Sequence, residues 1–224
     1  MLAYKYTYLL GSLLFFVYWF YLFFKLKDYR RRLFLMSLIY AVLLLPFGYF
    51  YTADWWKPDT ILGYRLGIED FLLAFSNNGI AAVWFLLFFK INNKGNYSIF
   101  RISMPLVIVG LMTIVLILIF NWTSFYATCV GIFVAIFYIL YQRRDLIKIS
   151  LLSGMVMILI SLPIYLLMIF MSPGYVEHTW ILNKLSGFLF LGIPIEDVIW
   201  YFLAGAMVSI LYPFYNEEKY DKKN

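Results

Sequence analysis

Apolar residues run along this chain in seven long blocks separated by short polar breaks. The blocks cover about Thr7–Phe24, Leu33–Phe50, Ile68–Phe89, Met104–Phe120, Thr123–Tyr141, Ile149–Met171 and Ile195–Tyr212. Each is close to the roughly 20 residues that a helix needs to cross a hydrocarbon core. The breaks are sharp. The first block stops at Lys25, and the second follows Arg30-Arg31-Arg32. The third ends before Lys90, the fifth before Gln142-Arg143-Arg144-Asp145, and Pro213 closes the seventh. The pattern predicts an all-α polytopic membrane protein with seven transmembrane helices. The stretch from Asn216 to Asn224 is charged and poor in apolar residues, and it reads as a solvated tail with no packing role.

Composition supports the membrane class. The chain of 224 residues is 64% hydrophobic and 13% charged, with a mean hydropathy of +0.84. Soluble domains are about half apolar and a quarter charged. The net charge of +6 does not imply nucleic-acid binding, because the basic residues fall in the connections between blocks. With seven spans, one side holds Lys25, Lys27, Arg30, Arg31, Arg32, Lys90, Lys94, Arg101, Arg143, Arg144, Lys148, Lys219, Lys222 and Lys223. The other holds Lys5, Lys57, Arg65 and Lys184. The Lys/Arg excess marks the cytoplasmic side. The expectation is therefore a multi-pass protein of the cell membrane, N-terminus outside and C-terminus cytoplasmic, with no cleavable signal peptide. Trp55, Trp56, Trp122 and Trp180 in the outer connections read mostly as interfacial anchors. The single cysteine, Cys129, excludes an internal disulfide and a cysteine metal cluster, and reads as a small packing residue.

Two parts of the chain follow one plan. Blocks one to three and five to seven each have a helix, a basic turn, and a helix with a proline toward its outer end (Pro46; Pro163). An outer loop with Trp follows, then a helix headed by Glu-Asp. The acidic pairs Glu69-Asp70 and Glu196-Asp197 are 127 residues apart, and Phe75 then matches Phe202. A single linker helix between three-helix units gives both units the same orientation, so the repeats are parallel. The expected boundaries are 1–102 for the first repeat, 103–121 for the linker helix, 122–215 for the second repeat and 216–224 for the tail.

Acids are rare in this chain and costly in a bilayer. Gly192 permits a tight entry, and Pro194 suits the first helical turn. Glu196 and Asp197 then fall where the helix dipole favours negative charge. Capping alone accounts for one such pair. Recurrence in equivalent places, few outer basic partners, and polar positions continuing along helix three (Asp70, Asn77; Glu69, Ser76) point further, to a site. In an apolar pocket a carboxyl group keeps its proton more readily, and two close carboxyls share one. That suits general acid–base work. Aromatic faces stabilise cations, and Phe71, Phe75, Trp200, Tyr201 and Phe202 are the candidates here. Successive helical residues point about 100° apart. The expectation is that each Glu meets the substrate and each Asp supports it.

At these residues the chain resembles the lycopene cyclase domain family, small membrane cyclases built from two homologous halves. The family signature is Pro-x-Glu-Glu or Pro-x-Glu-Asp at the head of a helix, followed by aromatics. Pro194-Ile195-Glu196-Asp197 with Trp200, Tyr201 and Phe202 fits it, and Gly67-Ile68-Glu69-Asp70 with Phe71 and Phe75 fits it with Gly in place of Pro. The resemblance implies cyclisation of the linear ends of lycopene, through γ-carotene to β-carotene. A double bond is protonated, a tertiary carbocation closes the ring, and a proton is lost. It implies Glu69, Asp70, Glu196 and Asp197 as catalytic residues. Phe71, Phe75, Asn77, Trp200, Tyr201 and Phe202 would line the substrate, with no metal and no cofactor. The partners are then a carotenoid or polyprenyl lipid taken from the bilayer, the membrane lipids themselves and, as a homo-oligomer, further copies of the chain.

Other readings compete. A membrane prenyltransferase acting on a polyprenyl substrate requires clustered acids for Mg²⁺ and diphosphate, but no DxxxD-like repeat is present. A retinal photoreceptor requires a lysine within helix seven, and Ile195–Tyr212 contains none. A non-catalytic transporter or subunit would place its paired acids near the midplane; these sit at helix heads. His178, the only histidine, reads as a solvated loop residue, and Asp54 and Asp59 as surface or capping residues.

Overall fold

The computed structural model describes residues 2–93, 95 and 98–223; Met1, Lys94 and the tail end Asn224 lie outside these described residues. Seven of its helices grow from the apolar blocks: α1 (Tyr4–Lys25), α2 (Arg30–Asp54), α3 (Ile68–Val83), α4 (Ile99–Leu118), α5 (Ser124–Gln142), α6 (Ile147–Met171) and α8 (Ile195–Tyr215). A short α7 (Tyr175–Thr179) lies in the loop after α6. The fold is nearly all-α. Among the described residues, six segments are long and apolar enough to cross a membrane, or up to seven if the two arms of α2 count as one span. Those arms, Lys27–Leu43 and Pro46–Asp54, meet at 60°. Pro46 has no N–H to donate and its ring crowds the preceding turn, which accounts for the break.

Two regions differ from the sequence expectation. The third block leaves the α-helix at Val83, passes through a 3-10 turn over Trp84–Leu87, and becomes strand β1 (Phe89–Asn93). The tail is not a free solvated end. Its residues Lys219–Lys222 form β4, antiparallel to β1 with Lys90 opposite Asp221 and Ile91 opposite Tyr220. Just before β4, Glu218 is buried and accepts a hydrogen bond from Arg32 Nη1 at 2.9 Å. The Arg32 guanidinium lies between the rings of Phe85 (5.1 Å) and Tyr212 (4.5 Å), and the Tyr220 hydroxyl contacts both charged groups. The reason is electrostatic: a buried arginine needs a counter-charge, and within the chain the tail supplies it.

The basic connections gather at one end of the bundle. There Arg143 reaches the carbonyl of Glu218, and Lys223 Nζ reaches that of Leu86. The opposite end joins the loops that precede α3 and α8. Trp56 and Trp180 form an isolated bridge, Lys57 N–H donates to Thr179 O, and Leu2 N–H donates to Met171 O. Trp55 and Trp180 are buried here, whereas Trp122 is exposed as an interfacial anchor would be.

α3 and α8 lie against each other at the centre. α1 and α2 pack on α3, α5 and α6 pack on α8, α1 meets α6, and α2 meets α5. α4 sits outside, against α5 and α8, and is the least buried of the spans. Small residues allow the close approach of α6 and α8. A Cβ on Gly205 would lie 2.8 Å from Ser153 O, a backbone atom that no side-chain rotation can clear.

The tail has an energetic role to test. Glu218→Ala leaves Arg32 buried without its carboxylate, and loss of one partner of such a pair costs about 3–5 kcal/mol. Thermal unfolding of the detergent-solubilised protein is expected to shift down accordingly. A shift no larger than that from mutating an exposed residue such as Lys222 contradicts the docked tail.

Candidate active site

Local sequence sets the heads of α3 and α8 in different ways. Before α3, the Gly67 N–H donates to Asp70 Oδ2 at 2.7 Å, closing the first turn. Before α8, β2 (Leu189–Phe190) and β3 (Ile193–Pro194) form a hairpin. Its two turn residues, Leu191 and Gly192, have φ of 54° and 80°, as a type I′ turn requires. Pro194 is the residue just before the helix, with Ile195 the first helical one.

The four acids divide by direction. Glu69 is wholly buried and turns back to the loop before its helix, where Oε1 accepts the Ile61 N–H at 2.6 Å. Glu196 does the same for its own loop: Oε1 accepts the Ser186 N–H at 2.7 Å and the Tyr126 hydroxyl at 3.2 Å. Each Glu is a clamp on the outer loop that leads into its helix.

The aspartates face inward, into one shared cavity of about 130 Å³. Asp70 Oδ1 accepts the Tyr8 hydroxyl at 2.9 Å. Asp197 Oδ1 accepts the Trp55 indole N–H at 3.2 Å. Asp197 is 3% exposed, and the Tyr165 hydroxyl and Trp180 indole are also directed at its carboxyl group. The walls are aromatic. Trp55 and Trp200 meet edge to face at 4.9 Å, Tyr51 and Trp200 at 5.6 Å, and Tyr165 and Tyr201 at 5.8 Å. Such a chamber holds two carboxyl groups near an apolar, water-poor space ringed by π faces. It can give a proton to an unsaturated hydrocarbon, stabilise the resulting cation and take a proton back.

The sequence candidates separate on placement. Asp70, Asn77, Asp197, Trp200 and Tyr201 line the cavity. Phe71 and Phe75 stack on each other at 5.9 Å, and Phe75 continues into a cluster with Trp19 and Phe34 outside the lining. Phe202 packs against Gly154 of α6. Glu69 and Glu196 reach the site only through the loops they hold. Sequence reasoning missed Tyr8, Tyr51, Trp55 and Tyr165, which line the cavity from helices without an acidic motif. The one available signal was Tyr165, two residues past Pro163, in the helix matching the Pro46 segment. His178 pairs with Asp59 at 2.9 Å and stacks on Tyr4, away from the cavity. Asp54 accepts the Ser124 N–H at 2.8 Å at the first turn of α5, a capping role supplied from another helix.

A family model described as lycopene cyclase matches residues 4–78 and 123–215, which is most of the chain in two segments. No curated protein and no solved structure gives a significant match.

The clamp role of the glutamates carries its own prediction. Glu69→Ala and Glu196→Ala each leave a loop N–H unpaired, at about 1–3 kcal/mol. Glu69→Gln keeps an acceptor oxygen and is expected to lose less. Limited proteolysis of the 55–67 and 181–193 loops, with thermal unfolding, reads the effect. Loops equally resistant in wild type and both alanine variants contradict it.

Proposed function

The chain belongs to the lycopene cyclase family, and on that basis we propose that it cyclises the linear ends of lycopene to β-ionone rings, through γ-carotene to β-carotene. The observation that carries this reading is that Asp70 and Asp197, one from each matched segment, open into one aromatic chamber. Asp197, the more deeply buried of the two aspartates, is the proton donor. Its proton passes to the terminal double bond of the polyene and leaves a tertiary cation. The neighbouring double bond attacks that cation, so one carbon–carbon bond forms and the ring closes. Asp70, held by the Tyr8 hydroxyl and the Gly67 N–H, takes the proton that restores the double bond. No atom is gained or lost, and the reaction is an isomerisation. Trp55, Trp200, Tyr51, Tyr165 and Tyr201 face the charge as it moves. Glu69 and Glu196 belong to the machinery as positioning residues that hold the outer loops closed.

The helix packing supports a two-half reading. Exchanging α1 with α5, α2 with α6 and α3 with α8 carries the contacts α1–α3, α2–α3 and α1–α6 onto α5–α8, α6–α8 and α2–α5. An axis between α3 and α8 would then pass by the chamber. The basic end of the bundle is taken as cytoplasmic, which sets the chamber toward the outer face and the N-terminus outside.

Expression in a lycopene-accumulating bacterium, followed by pigment chromatography, tests the function. The wild type is expected to yield cyclic carotenoid. Asp197→Asn and Asp70→Asn, at equal protein level, are expected to reduce it by about 10²-fold or more, the range for loss of a general acid or base. A well-expressed wild type that leaves lycopene linear rejects the cyclase reading. Full activity in both aspartate variants rejects the assigned residues.

A further inference from the structure

A second cavity of about 110 Å³ lies beside the first. The two share Tyr51, Asn78, Trp200 and Ala204 as lining, so they meet across a thin wall. The second one is almost wholly apolar and lies between α2, α4, α5 and α8, with Leu106, Val109 and Gly110 of α4 on one side. The first cavity takes nothing from α4. That helix also falls in the gap left by the family model, between residues 78 and 123.

The position of the second cavity coincides with the break in α2. Leu43 and Phe47, on either side of the 60° bend, both line it. Across from them, Gly110 has no side chain, and a Cβ placed there would meet only the Phe47 ring, at 3.9 Å. The pair Phe47 and Gly110 is thus a loose contact between a bent helix and the helix most open to lipid. From Asp197 to Val208, the deepest lining residue on α8, is about 16 Å along the helix axis at 1.5 Å per residue. The two cavities therefore follow α8 from the carboxyl groups to about two-thirds of its length.

We propose that the second cavity holds the stretch of polyene next to the end that lies at Asp70 and Asp197, and that the loose contact between Phe47 and Gly110 is its side door to the bilayer. The assignment rests on the cyclase reading and adds a length-selecting site to it. An end group alone fits the carboxylate chamber. A long, rigid, apolar chain needs an apolar way outward, and the second cavity, parted from the chamber by the lining they share, lies on the side of α4.

The test plugs the door after folding. Gly110→Cys in a Cys129→Ala background is labelled with a small methylthio group or a bulky aromatic maleimide, and mass spectrometry verifies the labelling. Cyclisation is then measured in lipid nanodiscs with lycopene and with a truncated apo-lycopene that keeps one linear end. The bulky adduct is expected to raise KM for lycopene about tenfold or more and to leave KM for the truncated substrate within about twofold. The methylthio adduct is the reference against which the bulky adduct is read. Should the cysteine resist labelling, Gly110→Phe is read by the same comparison. Equal rises for both substrates, or no rise for either, overturn the assignment. An unlabelled wild type that turns over neither substrate rejects the cyclase reading instead, which separates the two failures.

Discussion

Burial of carboxyl groups at the heads of two central helices is the constraint on which the rest depends. A carboxyl group set into an apolar bundle must find donors or remain a costly, reactive group. Here the chain does both. Each Glu is spent on a backbone N–H of the loop before it, Ile61 or Ser186, and so fixes the outer loops over the bundle. Each Asp is spent on a side-chain donor from another helix or its end, Tyr8 or Trp55, and so stays at the edge of an open space. The adjacency of Glu and Asp, with their 100° difference in direction, lets one short motif close a loop and arm a cavity together.

The packing around these heads follows from the same need. α3 and α8 meet at the centre because each carries an acid that must be shielded from lipid. The aromatic residues that shield them come from α1, α2 and α6 as well as α8. At the other end of the bundle the problem is reversed: Arg32 is the buried charge, and the tail returns as β4 to bring Glu218 against it. Charged groups thus gather at the two ends of the bundle, and the cavity between α2, α4, α5 and α8 is almost wholly apolar.

Much of this was legible in the sequence. Apolar block length accounts for the helices, and the recurrence of Glu-Asp marks the two helix heads that carry the cavity acids. The inward direction of Asp70 and Asp197, and not of the glutamates, was not legible. Periodicity shows that neighbours diverge but not which one faces the centre. Trp55 and Trp180 read as interfacial anchors because tryptophan at a helix end commonly is one; the bridge between the two outer loops buries them instead. Tyr8 carries no local signal, since its role depends on Asp70 from a helix far along the chain. The docked tail was hidden by its own composition, because charge density reads as solvation unless a buried partner such as Arg32 is known.

The central claim is that a carboxylic acid of this chamber protonates the end of a polyene. Solvent isotope incorporation tests it most directly. Cyclisation of lycopene by the purified wild type in D₂O, with the products read by mass spectrometry, is predicted to place one solvent-derived deuterium in each ring formed. Rings formed without deuterium would contradict protonation by an exchangeable acid, and with it the role given to Asp70 and Asp197.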